Sequence, residues 1–154
     1  MTIFSRRAVL LASAIALAPR GAFAAPPRVT VHKDPGCGCC NGWVDHLRAN
    51  GFAVKTVNTK TLDREKTRLG VPNELAACHT AEVSGYVVEG HVPAAAIKKL
   101  LAEKPNATGL AVPGMPQGSP GMGGTPEQYD VILFGKDERR VFGRYKADKP
   151  LPSS

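Results

Sequence analysis

Three cysteines stand within four residues of one another, at Cys37, Cys39 and Cys40, and the chain holds one further cysteine, Cys78. Gly38 permits the tight turn that lets three sulfurs converge on a small volume. Disulfide geometry is demanding, so neighbouring cysteines are hard to bridge to each other, and at most one of the three pairs readily with Cys78. The remaining thiols indicate metal or redox chemistry. Soft thiolates select Cu(I), zinc or iron–sulfur clusters.

The same cysteines admit other interpretations. A disulfide plus one buried thiol is the simplest structural one. Cys37 and Cys40 also have the C-x-x-C spacing of a dithiol redox site, and the start of a helix favours thiolates. Cys39 discriminates between these uses, because a dithiol exchange enzyme has no need of it and a multinuclear thiolate site does. Tetrahedral zinc ligation suits the residues as well.

The first 24 residues have the layout of a secretory signal peptide. Arg6 and Arg7 precede an apolar run over 8–18, and Ala22-Phe23-Ala24 is a small-x-small cleavage signature. The paired arginines also resemble a twin-arginine export signal. We therefore expect residues 1–24 to be a leader, residues 25–154 to form one domain, and the mature chain to be periplasmic without stable membrane insertion.

The basic charge does not indicate nucleic-acid binding. The leader holds three of the 20 Lys and Arg residues and none of the 13 Asp and Glu residues, so the mature chain is only mildly basic. Its charges are scattered, with no basic run and no interleaved aromatic residues, whereas a nucleic-acid surface needs a clustered patch. No Ser/His/Asp arrangement, phosphate loop or paired carboxylate pattern supports a hydrolase or kinase.

Hydrophobic periodicity predicts a mixed order of strands and helices. The predicted order is strand, helix, strand, helix, hairpin and helix, over 28–33, 41–50, 52–57, 61–69, 78–83 with 86–89, and 93–103. A Pro- and Gly-rich loop over 105–126 and a last hairpin over 129–134 and 140–145 follow. A cysteine motif between the first strand and the first helix is typical of a thioredoxin-like α/β sandwich, with a central mixed sheet and flanking helices.

Other soft or nitrogen donors extend the candidate metal site. In a thioredoxin-like fold the segment before the third strand packs against the cysteine motif, so Cys78 and its neighbour His79 are predicted ligands. His46 follows on the first helix and is a further candidate. Met115 and Met122 stand in the Pro- and Gly-rich loop where no core needs filling, and we expect this loop to be a lid that brings a thioether to the metal. His91 and His32 have packing alternatives and are left out of the predicted set.

The chain resembles the CopG-like family of bacterial copper-resistance proteins, long catalogued only as a domain of unknown function. The matching segments carry the cysteine motif, the Cys78-His79 pair, the hairpin and the Pro- and Gly-rich loop, at 34–40, 43–44, 75–80, 85–93, 109–116 and 118–122. The resemblance implies a thioredoxin-like fold, a periplasmic location and copper bound by the cysteine motif, and the soft thiolates favour Cu(I). Copper ions and other periplasmic copper-handling proteins are the implied partners. Thiol–disulfide oxidoreductase activity on periplasmic proteins is the alternative function.

Overall fold

The structure, a computed structural model, describes residues 25–152. The predicted signal peptide lies outside these residues. Within them the chain forms three α-helices, a short 3-10 turn at Asn73–Leu75 and eight strands. The helices are α1 (Gly38–Ala49), α2 (Leu62–Arg68) and α3 (Ala94–Glu103). The strands are β1 (Arg28–Lys33), β2 (Ala53–Asn58), β3 (His79–Val83), β4 (Tyr86–Gly90), β5 (Gly109–Val112), β6 (Gln128–Phe134), β7 (Arg139–Lys146) and β8 (Lys149–Pro150).

All eight strands belong to one mixed sheet, in the order β2-β1-β3-β4-β5-β6-β7-β8. The pairs β1–β2 and β4–β5 are parallel, and the other neighbours are antiparallel. The α/β prediction with a central mixed sheet and flanking helices is confirmed. The first four strands have the strand–helix–strand and hairpin arrangement on which the thioredoxin-like prediction depends.

Helices cover the sheet on both faces. The larger hydrophobic core joins α1 and α3 to one face, with Trp43, Leu47 and Ile97 fully buried. The smaller core lies on the other face and contains Val71 and Leu75, from the segment that follows α2. Successive side chains of a strand point to opposite faces. Accordingly Val88 of β4 joins the larger core, and its neighbour Val87 joins the smaller one.

Strand β5 was not predicted, because its sequence lies inside the segment assigned to the Pro- and Gly-rich loop. All four of its residues are buried, so the strand lacks the alternation of apolar and polar residues that would have predicted it. Gly109 allows the strand to approach β4, since a Cβ there would lie 1.8 Å from the Val87 carbonyl oxygen. After Lys146 the chain turns back and pairs as β8 with β7.

Among the described residues, none of the helices has the length and apolar character required to span a membrane.

Candidate metal centre

The cysteine motif occupies the junction between β1 and α1. Its turn is stabilised by two bonds to Asp34: the Gly36 amide donates to Oδ1 at 2.8 Å, and the Cys37 amide donates to the carbonyl oxygen at 3.1 Å. Cys37 is the N-cap residue of α1, and Cys39 and Cys40 lie in its first turn. The orphan amides of a helix N-terminus favour negative charge, which helps thiolates form there.

The four cysteine sulfurs converge as the sequence predicts, all within 4.8 Å of one another. The Sγ of Cys39 lies 3.6 Å from that of Cys37 and 3.9 Å from that of Cys78. Cys37 and Cys40 form a disulfide, while Cys39 and Cys78 are free thiols. The centre is therefore in an oxidised state in which two of its four sulfurs are thiols.

Cys78 also belongs to a second donor group, with His79 and His91. Its Sγ lies 3.3 Å from Nδ1 of His79 and 3.0 Å from Nε2 of His91. The other ring nitrogen of His91, Nδ1, donates to the Pro120 carbonyl at 2.7 Å. That bond assigns the proton to Nδ1, so the neutral ring turns the lone pair of Nε2 toward the Cys78 sulfur.

His91 is not among the predicted ligands, although the sequence contains a signal for it. β3 and β4 form a hairpin in which Thr80 pairs with Glu89. Residues equally far from the turn face each other, so Cys78 and His91 stand opposite at the open end of the hairpin. The predicted hairpin, with its turn at Ser84-Gly85, already contained this pairing.

Burial keeps Cys78, His79 and His91 uncharged at neutral pH. It raises the pKa of Cys78 to about 12, and the neighbouring Cys39 adds to this rise. It lowers the pKa of His79 well below its ordinary value and also lowers that of His91, although the Pro120 carbonyl opposes the shift in His91. A thiol must lose its proton to bind a metal, so metal uptake at this site releases protons.

The donor set fits a soft or borderline metal. It offers two thiols and two imidazoles, and reduction of the disulfide adds two more sulfurs. Thiolate and imidazole ligands suit copper and zinc, while a hard ion such as magnesium requires oxygen donors. The residues present thus agree with the predicted copper ion without excluding zinc.

The predicted lid lies directly against the cysteine helix. Gly121 adopts φ +86°, and a Cβ there would lie 2.4 Å from the Trp43 amide nitrogen and 2.6 Å from the Cys39 carbonyl oxygen. Only glycine permits so close an approach. In the same loop Met122 is half-buried and the Met115 side chain is exposed. A role for either thioether as a ligand stays a prediction.

The structure does not bring His46 to either donor group. Its Nε2 instead accepts a hydrogen bond of 3.0 Å from the Ala94 amide, at the start of α3. Pro93, the N-cap residue of α3, has no side-chain acceptor, so His46 satisfies one of the amides that a helix N-terminus leaves unpaired. Burial lowers the pKa of His46, in keeping with a neutral ring that accepts a bond.

Comparisons with known proteins identify the family of the chain. The model of a family described as a protein of unknown function, DUF411, matches residues 75–122. No curated protein matches the chain. Two solved chains, described as copper resistance protein CopG in its form 2 and form 1, are each 45% identical, with TM-scores of 0.74 and 0.73. The match covers 78% of this chain and 98% of each of those chains. Since nearly the whole of both solved chains is matched at this identity, the protein belongs to the CopG-like family of copper-resistance proteins.

Proposed function

We propose that the protein binds copper as Cu(I) through Cys37, Cys39, Cys40 and Cys78, and that it serves copper handling in the periplasm. One observation carries the proposal: four sulfurs lie within 4.8 Å of one another, and one of them, Cys78, also touches two imidazoles. His79 and His91 are the nitrogen donors of the proposed site. Copper is the metal favoured by the likeness to CopG chains and by soft donors.

The number of sulfurs favours more than one Cu(I) per chain. A thiolate sulfur can bridge two metal ions, and Cys78 lies at the junction of both donor groups. Full loading requires the Cys37–Cys40 disulfide to be reduced first, which takes two electrons and two protons and yields two thiols. Each thiol then gives up its proton as it binds metal.

The test is a Cu(I) titration of the reduced mature protein under anaerobic conditions, in competition with a chromophoric Cu(I) chelator. We expect tight binding of more than one Cu(I) per chain, and a lower stoichiometry for Cys78→Ser. The matched control is Ser84→Ala, which changes an exposed turn residue on the hairpin that carries Cys78. Binding no tighter than that of free thiols would contradict the proposal.

The periplasmic location depends on the predicted leader. Protein recovered from the periplasm should begin at or near Ala25 when its N-terminus is sequenced. Replacing Arg6 and Arg7 by Lys tests the twin-arginine route, since a general secretory signal tolerates that change. Full-length protein confined to the cytoplasm would contradict the location.

Thiol–disulfide exchange is the second candidate function, and the Cys37–Cys40 disulfide favours it. A substrate dithiol would be oxidised to a disulfide as Cys37 and Cys40 are reduced to thiols, so two electrons and two protons pass to the protein. Insulin reduction, run in the opposite direction, measures this activity. If Cys37→Ser abolishes it while Cys39→Ser leaves both it and copper binding intact, exchange is the main function.

A further inference from the structure

A buried ion pair stands behind the metal centre, on the opposite face of the sheet. Lys66 of α2 and Glu89 of β4 form it, with side chains that are 9% and 0% exposed. Glu89 follows Val88, whose side chain joins the core under α1 and α3, so the carboxylate points to the other face. The same alternation in β3 puts Thr80 on the face of Glu89 and His79 on the face of the metal centre.

The carboxylate of Glu89 accepts hydrogen bonds from two different parts of the chain. Its Oε1 accepts from Nζ of Lys66 and, at 2.6 Å, from the backbone amide of Ala77. Its Oε2 accepts from the Thr80 hydroxyl at 2.5 Å, and Lys66 also donates to that hydroxyl oxygen at 2.9 Å. A carboxylate taken wholly out of water is stable only with partners of this kind.

The residues in these hydrogen bonds are close sequence neighbours of the donors of the metal centre. Ala77 immediately precedes Cys78, Thr80 immediately follows His79, and Glu89 lies two residues before His91. The pairing of β3 with β1 ends at His79, opposite Lys33, so Ala77 lies beyond the ladder. Glu89 supplies the acceptor that the sheet does not provide for the Ala77 amide.

We propose that Glu89, held by Lys66, is a positioning residue that fixes Cys78, His79 and His91 in the geometry of the metal centre. The inference rests on the copper-binding function proposed above. A buried ion pair contributes little net stability, because the cost of desolvation offsets the attraction of the charges. The Lys66–Glu89 pair instead fixes the position of the backbone, because the Glu89 carboxylate joins the end of β4 to the start of β3.

The test compares two double variants that both lack the buried charges. One joins Lys66→Met to Glu89→Gln, and the other joins Lys66→Met to Glu89→Leu. Gln retains an oxygen that can accept from the Ala77 amide, whereas Leu fills a similar volume and offers none. The control replaces an exposed ion pair between β6 and β7, Asp130→Asn with Arg144→Gln.

Two measurements are made on each variant: Cu(I) affinity by chelator competition, and the NMR signals of the His79 and His91 rings in the reduced, metal-free protein. We expect the Gln variant and the control to retain the affinity and ring signals of the unmodified protein. The Leu variant should bind Cu(I) about tenfold more weakly or worse, because removing a residue that orients metal ligands typically lowers metal affinity by that much. The NMR signals of its His79 and His91 rings should also shift. Both variants should stay folded by circular dichroism.

Equal affinities and coincident ring signals for the Gln and Leu variants would overturn the inference. If the unmodified protein binds no Cu(I), the proposed function fails, and the ring signals alone still decide the positioning role. If the Leu variant does not fold, Glu89→Asp replaces it, since the shorter side chain keeps a partner for Lys66 but is drawn back from the Ala77 amide. Unchanged affinity and ring signals in Glu89→Asp would then overturn the inference.

Discussion

Cys78 lies where the two donor groups of the centre meet. On one side are the sulfurs of the cysteine motif, and on the other are Nδ1 of His79 and Nε2 of His91. Burial raises its pKa to about 12, so the free thiol keeps its proton at any physiological pH. A metal must displace that proton, which makes Cys78 unreactive on its own and available to a cation that binds thiolates tightly.

Cys39 is the residue that distinguishes a thiolate cluster from a dithiol. Its sulfur lies between those of Cys37 and Cys78, at 3.6 and 3.9 Å, and stays free when the disulfide forms. We expect Cys39→Ser to lower the number of Cu(I) ions bound per reduced chain, because hydroxyl oxygen is a poor ligand for a soft ion. Competition titration measures the number of Cu(I) ions bound, and an unchanged number would show that Cys39 is not a ligand.

The methionines of the loop provide a separate residue-level prediction. Substituting Leu for both Met115 and Met122 keeps the side-chain volume and removes only the sulfur. If a thioether binds the metal, this double variant should hold Cu(I) more weakly or release it faster, while zinc binding and stability stay nearly the same. The exposed position of Met115, at 43%, makes it the less costly of the two to replace. Identical Cu(I) affinity and release would leave the loop a purely structural element.

At the scale of elements, α1 serves two purposes with its two ends. Its first turn carries the cysteines, and His46 near its last turn accepts the Ala94 amide of α3. The helix thereby joins the metal centre to the helix packed beside it. The hydrogen bond between the Trp43 indole nitrogen and the Val92 carbonyl, at 2.8 Å, strengthens the same junction.

His46→Ala should destabilise the protein by about 1 kcal/mol, the usual cost of losing a helix cap, and should leave copper stoichiometry unchanged. The pKa of His46 is lowered in the fold, so its contribution is present above its ordinary pKa of about 6.5 and is lost as pH falls below it. Urea unfolding at pH 8 and at pH 5 measures this, and the difference between the two proteins should be smaller at pH 5. A loss of bound copper in the variant would instead restore His46 as a ligand.

At the scale of the whole molecule, the sheet lies between the candidate metal centre and the buried Lys66–Glu89 ion pair. The cysteine motif lies at the start of α1 and His79 points to the face that α1 covers, while the Lys66–Glu89 pair lies on the face of α2. The loop that follows β5 closes the first face, through the Pro120 carbonyl that accepts from His91 and through Gly121 against α1. The cysteine motif, the open end of the β3–β4 hairpin and the loop after β5 therefore meet at one site.

The redox state of the whole protein should control its response to copper. In the oxidised form only Cys39 and Cys78 are thiols, so we expect Cu(I) to raise the melting temperature of the reduced protein much more than that of the oxidised protein. A ligand that binds only the folded state adds about 2.7 kcal/mol when its free concentration is one hundred times Kd. Thermal melts of both forms with and without Cu(I) test this. Equal shifts would show that Cys37 and Cys40 take no part in binding.

Local sequence predicted most of the elements and the sulfur cluster. Alternating apolar residues and the Ser84-Gly85 turn predict the β3–β4 hairpin, and the close spacing of Cys37, Cys39 and Cys40 predicts converging sulfurs. β5 was not predicted, because a strand whose four residues are all buried shows no alternation of apolar and polar residues. His46 was assigned to the metal because the sequence does not state which partner a half-buried imidazole meets.

The sequence by itself determined the chemistry available: which soft donors the chain has, that three of them stand within four residues, and that a helix begins beside them. Those properties depend on residues close together along the chain. The tertiary structure decided which distant residues join them, since contacts between Cys78 and Cys39, or between Glu89 and the Ala77 amide, exist only once the sheet is assembled. It also decided that His91 rather than His46 faces the centre, because the hairpin register places His91 opposite Cys78 while α3 takes the ring of His46.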